Sequence, residues 1–208
     1  TKVVPRIFYV LRDKGVFYFF KKRGSNMKTL VTKRLILRPL KLSDVDGMFA
    51  YAKKPNIGPM AGWKPHQSVD ESYKILKMMI KDNDVWGITL KHDDQIIGTI
   101  GLHERSLEDA LQDKKEIGYV IDEPYWGLGL IKEASLAILD YAFNDLGISK
   151  VSVAHYDFNT QSQRVIEKIG YRFTHKEEKD YYDGTKKESF IYEMTKKDYR
   201  RLQREHTE

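Results

Sequence analysis

The sequence contains no cysteine, which excludes disulfide staples, thiolate metal sites and a cysteine nucleophile. That absence suits a reducing compartment, and a cytoplasmic location is expected. Long apolar runs are also missing. No stretch approaches the roughly 20 residues that a membrane-spanning helix needs, so no membrane association is expected. The six histidines (His66, His92, His103, His155, His175 and His206) are scattered without metal-ligand spacing, and no metal is expected. Repeats, low-complexity tracts and linkers are absent too, and 208 residues suit a single domain with its own core.

A formal net charge of +6 would ordinarily point to an anionic partner, but the excess is local. Residues 1–26 carry seven basic residues against one acid, Asp13, which leaves 29 of each sign in the remainder. The globular part is therefore neutral, and nucleic-acid binding is not expected. In the leader, two aromatic runs flank Arg12-Asp13-Lys14-Gly15, the pattern of a β-hairpin with a short loop. The other reading takes Met27 as the start and 1–26 as an upstream extension. Either way the expected division is a basic aromatic leader, 1–26, and one domain, 27–208.

What is present centres on Glu116 to Ala134. Glu116–Ile121 is β-branched and aromatic and reads as a strand. After Gly127-Leu128-Gly129, apolar residues at Ile131, Ala134, Ile138 and Ala142 form one helical stripe. A strand thus runs through a glycine turn into a helix whose first N–H groups lack partners and whose dipole is positive. Glycines there let a phosphate approach those donors, or serve only as a tight turn.

Upstream, Leu30 to Leu40 reads as a first strand closed by Pro39. Ser43 is expected to cap a helix over Asp44–Lys53, and Ser68, with Glu71, a second. Val85–Lys91 and Gln95–Leu102 read as a hairpin, and Arg105–Asp113 as a polar loop. Downstream, Lys150–His155 is a strand and Asn159 opens a helix to Lys168. Tyr171–Glu177 and Glu188–Met194 are further strands, followed by a charged tail helix. The fold class is α/β (α+β) with a mostly antiparallel mixed sheet, since hairpins dominate and few crossovers are helical.

Two runs together carry a resemblance. One is Ile97-Gly98-Thr99-Ile100-Gly101-Leu102, Glu116-Ile117-Gly118-Tyr119 and Tyr125-Trp126-Gly127-Leu128-Gly129; the other is Asn159 to Tyr171. The chain resembles the GNAT superfamily of acyl-CoA-dependent N-acetyltransferases over about Thr29 to Lys196, and within it the RimJ/RimL-like branch. The resemblance implies a sheet of about seven strands flanked by four or five helices. It also implies acetyl-CoA as cosubstrate and a primary amine, a protein N-terminus or a small molecule, as acceptor. Trp126, Gly127, Leu128, Gly129, Leu130, Ile131 and Lys132 would hold the pyrophosphate end. Val120 and Ile121 would pair with the pantetheine arm, with Asn159, Ser162 and Lys168 completing the cofactor site. The chain departs from the family pattern with Pro124, Leu128 and Ile131, where side chains that contact phosphate or make room for it are usual.

The reaction needs a base for the attacking amine and a proton for the departing thiolate. Glu116 holds the family's base position, and Glu104 is the second candidate. Ile166 stands where many relatives place a tyrosine acid, and Ser162, one turn earlier, is the substitute; its other reading is helix packing. His103 beside Glu104 is a candidate relay. Trp63, His66, Tyr181 and Tyr182 fall on loops that could line an acceptor pocket or merely pack. A non-catalytic acyl-CoA-binding module is the alternative function, and oligomeric state, including a homodimer, is left open.

Overall fold

The computed structural model describes residues 27–104, 106, 109 and 113–205, with the backbone alone for 8–13 and 16–21. Strands β1 (Phe8–Asp13) and β2 (Val16–Lys21) pair antiparallel in a two-stranded sheet, with Phe8 opposite Lys21. The main sheet has eight strands in the order β3-β4-β5-β6-β7-β8-β10-β9. These are β3 (Leu30–Val31), β4 (Leu35–Pro39), β5 (Val85–Leu90), β6 (Asp93–His103), β7 (Lys114–Ile121), β8 (Lys150–Tyr156), β9 (Arg172–Asp180) and β10 (Lys186–Thr195). Every neighbouring pair is antiparallel except β7 and β8.

The eighth strand arises because Leu30 to Leu40 is not one strand. Thr32 accepts the Leu35 N–H at 2.9 Å and donates its hydroxyl to Glu133 at 2.6 Å, while Arg34 N–H also reaches Glu133 at 2.7 Å. This anchor turns the chain, so β3 folds back on β4 with Leu30 opposite Leu37.

Five α-helices flank the sheet among the described residues: α1 (Val45–Ala52), α2 (Val69–Asp82), α3 (Leu130–Asp140), α4 (Thr160–Ile169) and α5 (Lys196–Glu205). Side-chain alternation along β7 separates two layers. Ile117 and Ile121 join a core with Ile131, Ala134 and Ile138 of α3 and Ile166 of α4. Val120 faces the opposite way, onto the core of Met48 and Tyr51 from α1 and Leu76 from α2. Trp126 packs against both.

Ser68 caps α2 as expected, accepting the Glu71 N–H at 3.1 Å, and the Glu71 carboxylate returns to the Gln67 N–H at 2.6 Å. Ser43 does not cap α1. It lies in a 3-10 turn, Leu42–Asp44, that precedes the helix. Asp44 is the organising residue there, taking the Lys41 N–H at 2.7 Å and both Arg38 terminal nitrogens at 2.8 and 2.9 Å. The Arg105–Asp113 loop falls mostly outside the described residues.

Candidate active site

β7 and β8 pair only from Lys114–Ile117 to Lys150–Val153 and then part, although both strands run on. A parallel pair that splays at its C-terminal ends leaves a wedge in the sheet, and a cavity of about 970 Å³ passes through it. The Asp122 N–H goes to Ile97 O of β6 at 2.8 Å. By strand alternation Val120 therefore turns its backbone toward β6, and Tyr119 and Ile121 turn theirs toward the wedge. The Ile121 carbonyl already accepts the Trp126 indole N–H at 2.9 Å. That bond fixes the exit of the strand into the glycine turn.

Gly127 and Gly129 both have φ of +74°, a left-handed conformation that suits glycine. Gly129 is the N-cap of α3 and no side chain caps that end, so the helix amides stay available. A Cβ at Gly127 would meet nothing within 4 Å. At Gly129 its neighbour would be Arg34 Nη2, at 3.8 Å. Arg34 is held in place: Nη1 donates to Leu128 O at 2.8 Å and Nε to Glu133 at 2.7 Å. Burial pushes the Glu133 carboxyl up, but hydrogen bonds from Thr32 and Arg34 and the Arg34 charge outweigh it and hold the group below its ordinary range. Leu128 is exposed and outside the cavity lining, whereas Trp126, Gly127, Gly129, Leu130, Ile131 and Lys132 border it.

At the other end, Glu116 borders the cavity opposite Ser152 of β8. It lies on the α1/α2 face of β7, the same face as Val120. Ser189, His175 and Glu177 of β10 and β9 border the cavity further across the sheet. Glu104 is placed differently: it is half exposed, paired with Lys115 at 3.6 Å, and not part of the lining. His103 is bonded through Nδ1 to Asp84 at 2.8 Å and its ring lies against Gly101. It also stays outside the lining.

Between the two ends sits Ser162. Its N–H donates to Asn159 Oδ1 at 3.0 Å, the N-cap bond of α4, and its hydroxyl lies 2.8 Å from the Tyr119 hydroxyl. Burial pushes the Tyr119 phenol up to about 12, against a smaller opposite effect of Ser162, so the phenol is protonated at any physiological pH. Either hydroxyl can donate in this pair; with Tyr119 as the donor the serine keeps its own O–H for another acceptor. Asn159, besides capping, donates Nδ2 to Met60 O at 2.9 Å. It thereby ties α4 to the loop between α1 and α2. Val120, Ile121, Asn159, Ser162 and Lys168 all border the cavity.

The loop aromatics mainly pack. Trp63 and His66 lie 5.1 Å apart, and buried His66 bonds Ser72 at 2.7 Å. Tyr181 donates to Pro59 O at 2.9 Å and meets the edges of Tyr156 and Phe158, with Tyr182 4.4 Å away. Of this group only Tyr156 borders the cavity. No group of three His, Asp or Glu side chains able to hold a metal occurs among the described residues. No helix there is long and apolar enough to cross a membrane.

Sequence reasoning passed over Tyr119, which borders the cavity, and Arg34, which holds the glycine turn from outside the lining. Tyr119 stood in a recognised run, but its partner Ser162 is remote in sequence. Arg34 lies in a run that reads as one strand, with nothing local to mark the turn it occupies.

Comparison with known proteins agrees with this fold. The model of the acetyltransferase (GNAT) domain matches residues 34–172. An uncharacterised N-acetyltransferase of Bacillus licheniformis, p20, is 28% identical over 152 residues, covering 70% of this chain and 83% of its own. A GNAT-family acetyltransferase from Bacillus anthracis superposes with a TM-score of 0.73 at 20% identity, over 82% of this chain and 99% of that one. A candidate ribosomal-protein-serine acetyltransferase from Vibrio cholerae does so at 0.68 and 17% identity, over 81% and 97%. At those identities the two structures speak for the fold. The domain match over most of the chain places this protein in the GNAT acetyltransferase family.

Proposed function

We propose that the protein transfers an acetyl group from acetyl-CoA directly to a primary amine. One observation carries the reading: a single cavity runs from the uncapped amides of α3, past Ser162, to Glu116. The residues present fit the donor. The Gly127–Gly129 turn leaves open the space that side chains would fill, and its donors and the Arg34 guanidinium suit a pyrophosphate. Arg34 and Lys132 offset the neutral Pro124 and Leu128. When bound, acetyl-CoA supplies the acetyl group as a reactive thioester.

The chain's own residues then have distinct tasks. The wedge-facing backbone of Tyr119 and Ile121 lies along the path of the pantetheine arm. Glu116 accepts the proton of the amine as it attacks. Ser162, with its oxygen satisfied by Tyr119, points its O–H to the departing thiolate. Glu116 is favoured over Glu104 because it borders the cavity and Glu104 does not.

For the acceptor, a protein N-terminus is the preferred class within the RimJ/RimL-like reading. The name of the Vibrio cholerae protein favours it, and polar residues of β8, β10 and β9 continue the cavity lining beyond Glu116. Release of free thiol from acetyl-CoA, followed with a peptide, a polyamine and an amino sugar, tests the proposal. Release that requires an acceptor is expected, fastest with the peptide. Binding of acetyl-CoA with no release for any amine would leave a binding module and overturn the transferase reading.

A further inference from the structure

An amine acceptor brings one proton more than the transfer can use. A free α-amino group titrates at about 8, so at neutral pH it arrives mostly as an ammonium. Its nitrogen must lose one proton before it can attack and a second as the amide forms. The departing thiolate takes up only one. Glu116 can hold a single proton at a time, so the surplus proton of each turnover has to leave it for solvent.

On β6 the residue directly opposite Glu116 is His103. Opposed residues of an antiparallel pair share a face and have Cβ atoms about 5 Å apart, so both stand on the α1/α2 face. Nδ1 of His103 lies 2.8 Å from the Asp84 carboxylate. An ionised carboxylate only accepts, so Nδ1 carries the hydrogen and Nε2 keeps its lone pair. Gly101 makes room for the ring, since a Cβ there would come within 2.2 Å of Nε2. Gly101 in turn lies opposite Gly118, two residues along from Glu116. The positions next to both the imidazole and the carboxylate thus carry no side chain. With 22% of its side chain exposed, His103 reaches solvent while staying outside the cavity lining. The other charged neighbours are tied up in pairs: Lys114 with Glu193 and Asp109, and Lys115 with Glu104. An ammonium has no lone pair with which to take a proton. An imidazole, which ordinarily exchanges its proton between pH 5 and 8, does.

We propose that His103, oriented by Asp84, takes the surplus proton from Glu116 and passes it to solvent by a route that the substrates do not occupy. This rests on the reading of Glu116 as the base. An N–H bond of the ammonium breaks and its proton goes to a Glu116 oxygen. That proton moves to Nε2 of His103, directly or through one water, and the imidazolium formed beside the Asp84 carboxylate gives it to water. Glu116, again a carboxylate, takes the second proton as the C–N bond forms. The proton gained by the leaving sulfur as the C–S bond breaks balances that one. His103 and Asp84 act through Glu116 and touch neither substrate.

His103→Asn tests it, because asparagine keeps a side-chain N–H for Asp84 and lacks the second nitrogen. The variant is expected to melt at the parental temperature. Free-thiol release is followed with an amine that the parent acetylates, at neutral pH in weakly buffered solution. The variant is expected to show kcat lowered roughly tenfold, less than the full contribution of a positioned base, with KM for both substrates unchanged. Added imidazole, a small proton carrier, is expected to restore most of the parental rate above the enzyme-free background. A lost packing contact would not respond to it. Should His103→Asn melt early, His103→Gln is read in the same two ways. Parental turnover without His103, or a loss that imidazole leaves untouched, would overturn the relay alone. An active parent whose Glu116→Gln variant turns over normally would remove the base, and the relay with it.

Discussion

The proposed role of Ser162 as a donor depends on what lies behind it. A serine whose sole neighbour were a carbonyl would spend its proton there. The half-buried, protonated Tyr119 lies 2.8 Å from the serine oxygen and can supply the hydrogen bond that oxygen needs. The two hydroxyls therefore form one device, and their losses should not add. Tyr119→Phe and Ser162→Ala are each expected to slow acetyl transfer with little change in KM for acetyl-CoA. The double variant should be no slower than Ser162→Ala, within the coupling expected of contacting residues. Additive losses in kcat would show that the hydroxyls act separately. Ser162 was reached through the family resemblance, and the Asn159 cap and the glycine at 170 delimit only its helix. Tyr119 was not, because its role exists only once α4 has folded over β7, 43 residues away in sequence.

At the level of elements, local signals placed β5 to β10 and the helices, with ends shifted by a few residues. They failed where a tertiary contact overrides the local pattern. Leu30 to Leu40 has the composition of one strand, and the turn within it depends on Glu133, about a hundred residues later. Ser43 has the chemistry of a cap, but the buried Arg38–Asp44 pair draws the preceding turn into a tighter form. Glu133 ties the β3–β4 turn to the first turn of α3 and also orients Arg34, so it couples fold to site. Its carboxyl is held below the usual value of 4.5 in the folded protein. A depressed folded pKa contributes stability above the unfolded pKa and loses it as pH falls through the folded value. Glu133→Gln is therefore expected to melt several degrees lower at pH 7, with the gap closing as the pH drops below about 4.5. Thermal melts over that range check it; a gap independent of pH would assign the effect to packing instead.

For the whole molecule, the sequence disclosed the layered α/β plan and the glycine-turn helix, since both are written in local periodicity and family motifs. The wedge was not legible: it depends on where the pairing of β7 and β8 stops, which Lys114–Ile117 opposite Lys150–Val153 shows only in three dimensions. That opening turns a sheet into a passage joining the Gly127–Gly129 turn on the α3/α4 side to Glu116 on the α1/α2 side. In the proposed reaction the two ends act together, with Glu116 as the base. Thiol release by Glu116→Gln, compared with the parent from neutral to alkaline pH, tests it most directly. The variant is expected to bind acetyl-CoA normally and to turn over roughly a hundredfold more slowly at neutral pH, the usual contribution of a positioned base. The gap should narrow as pH rises, because more of the acceptor amine is then already neutral. Parental turnover by Glu116→Gln across the whole range would contradict the account.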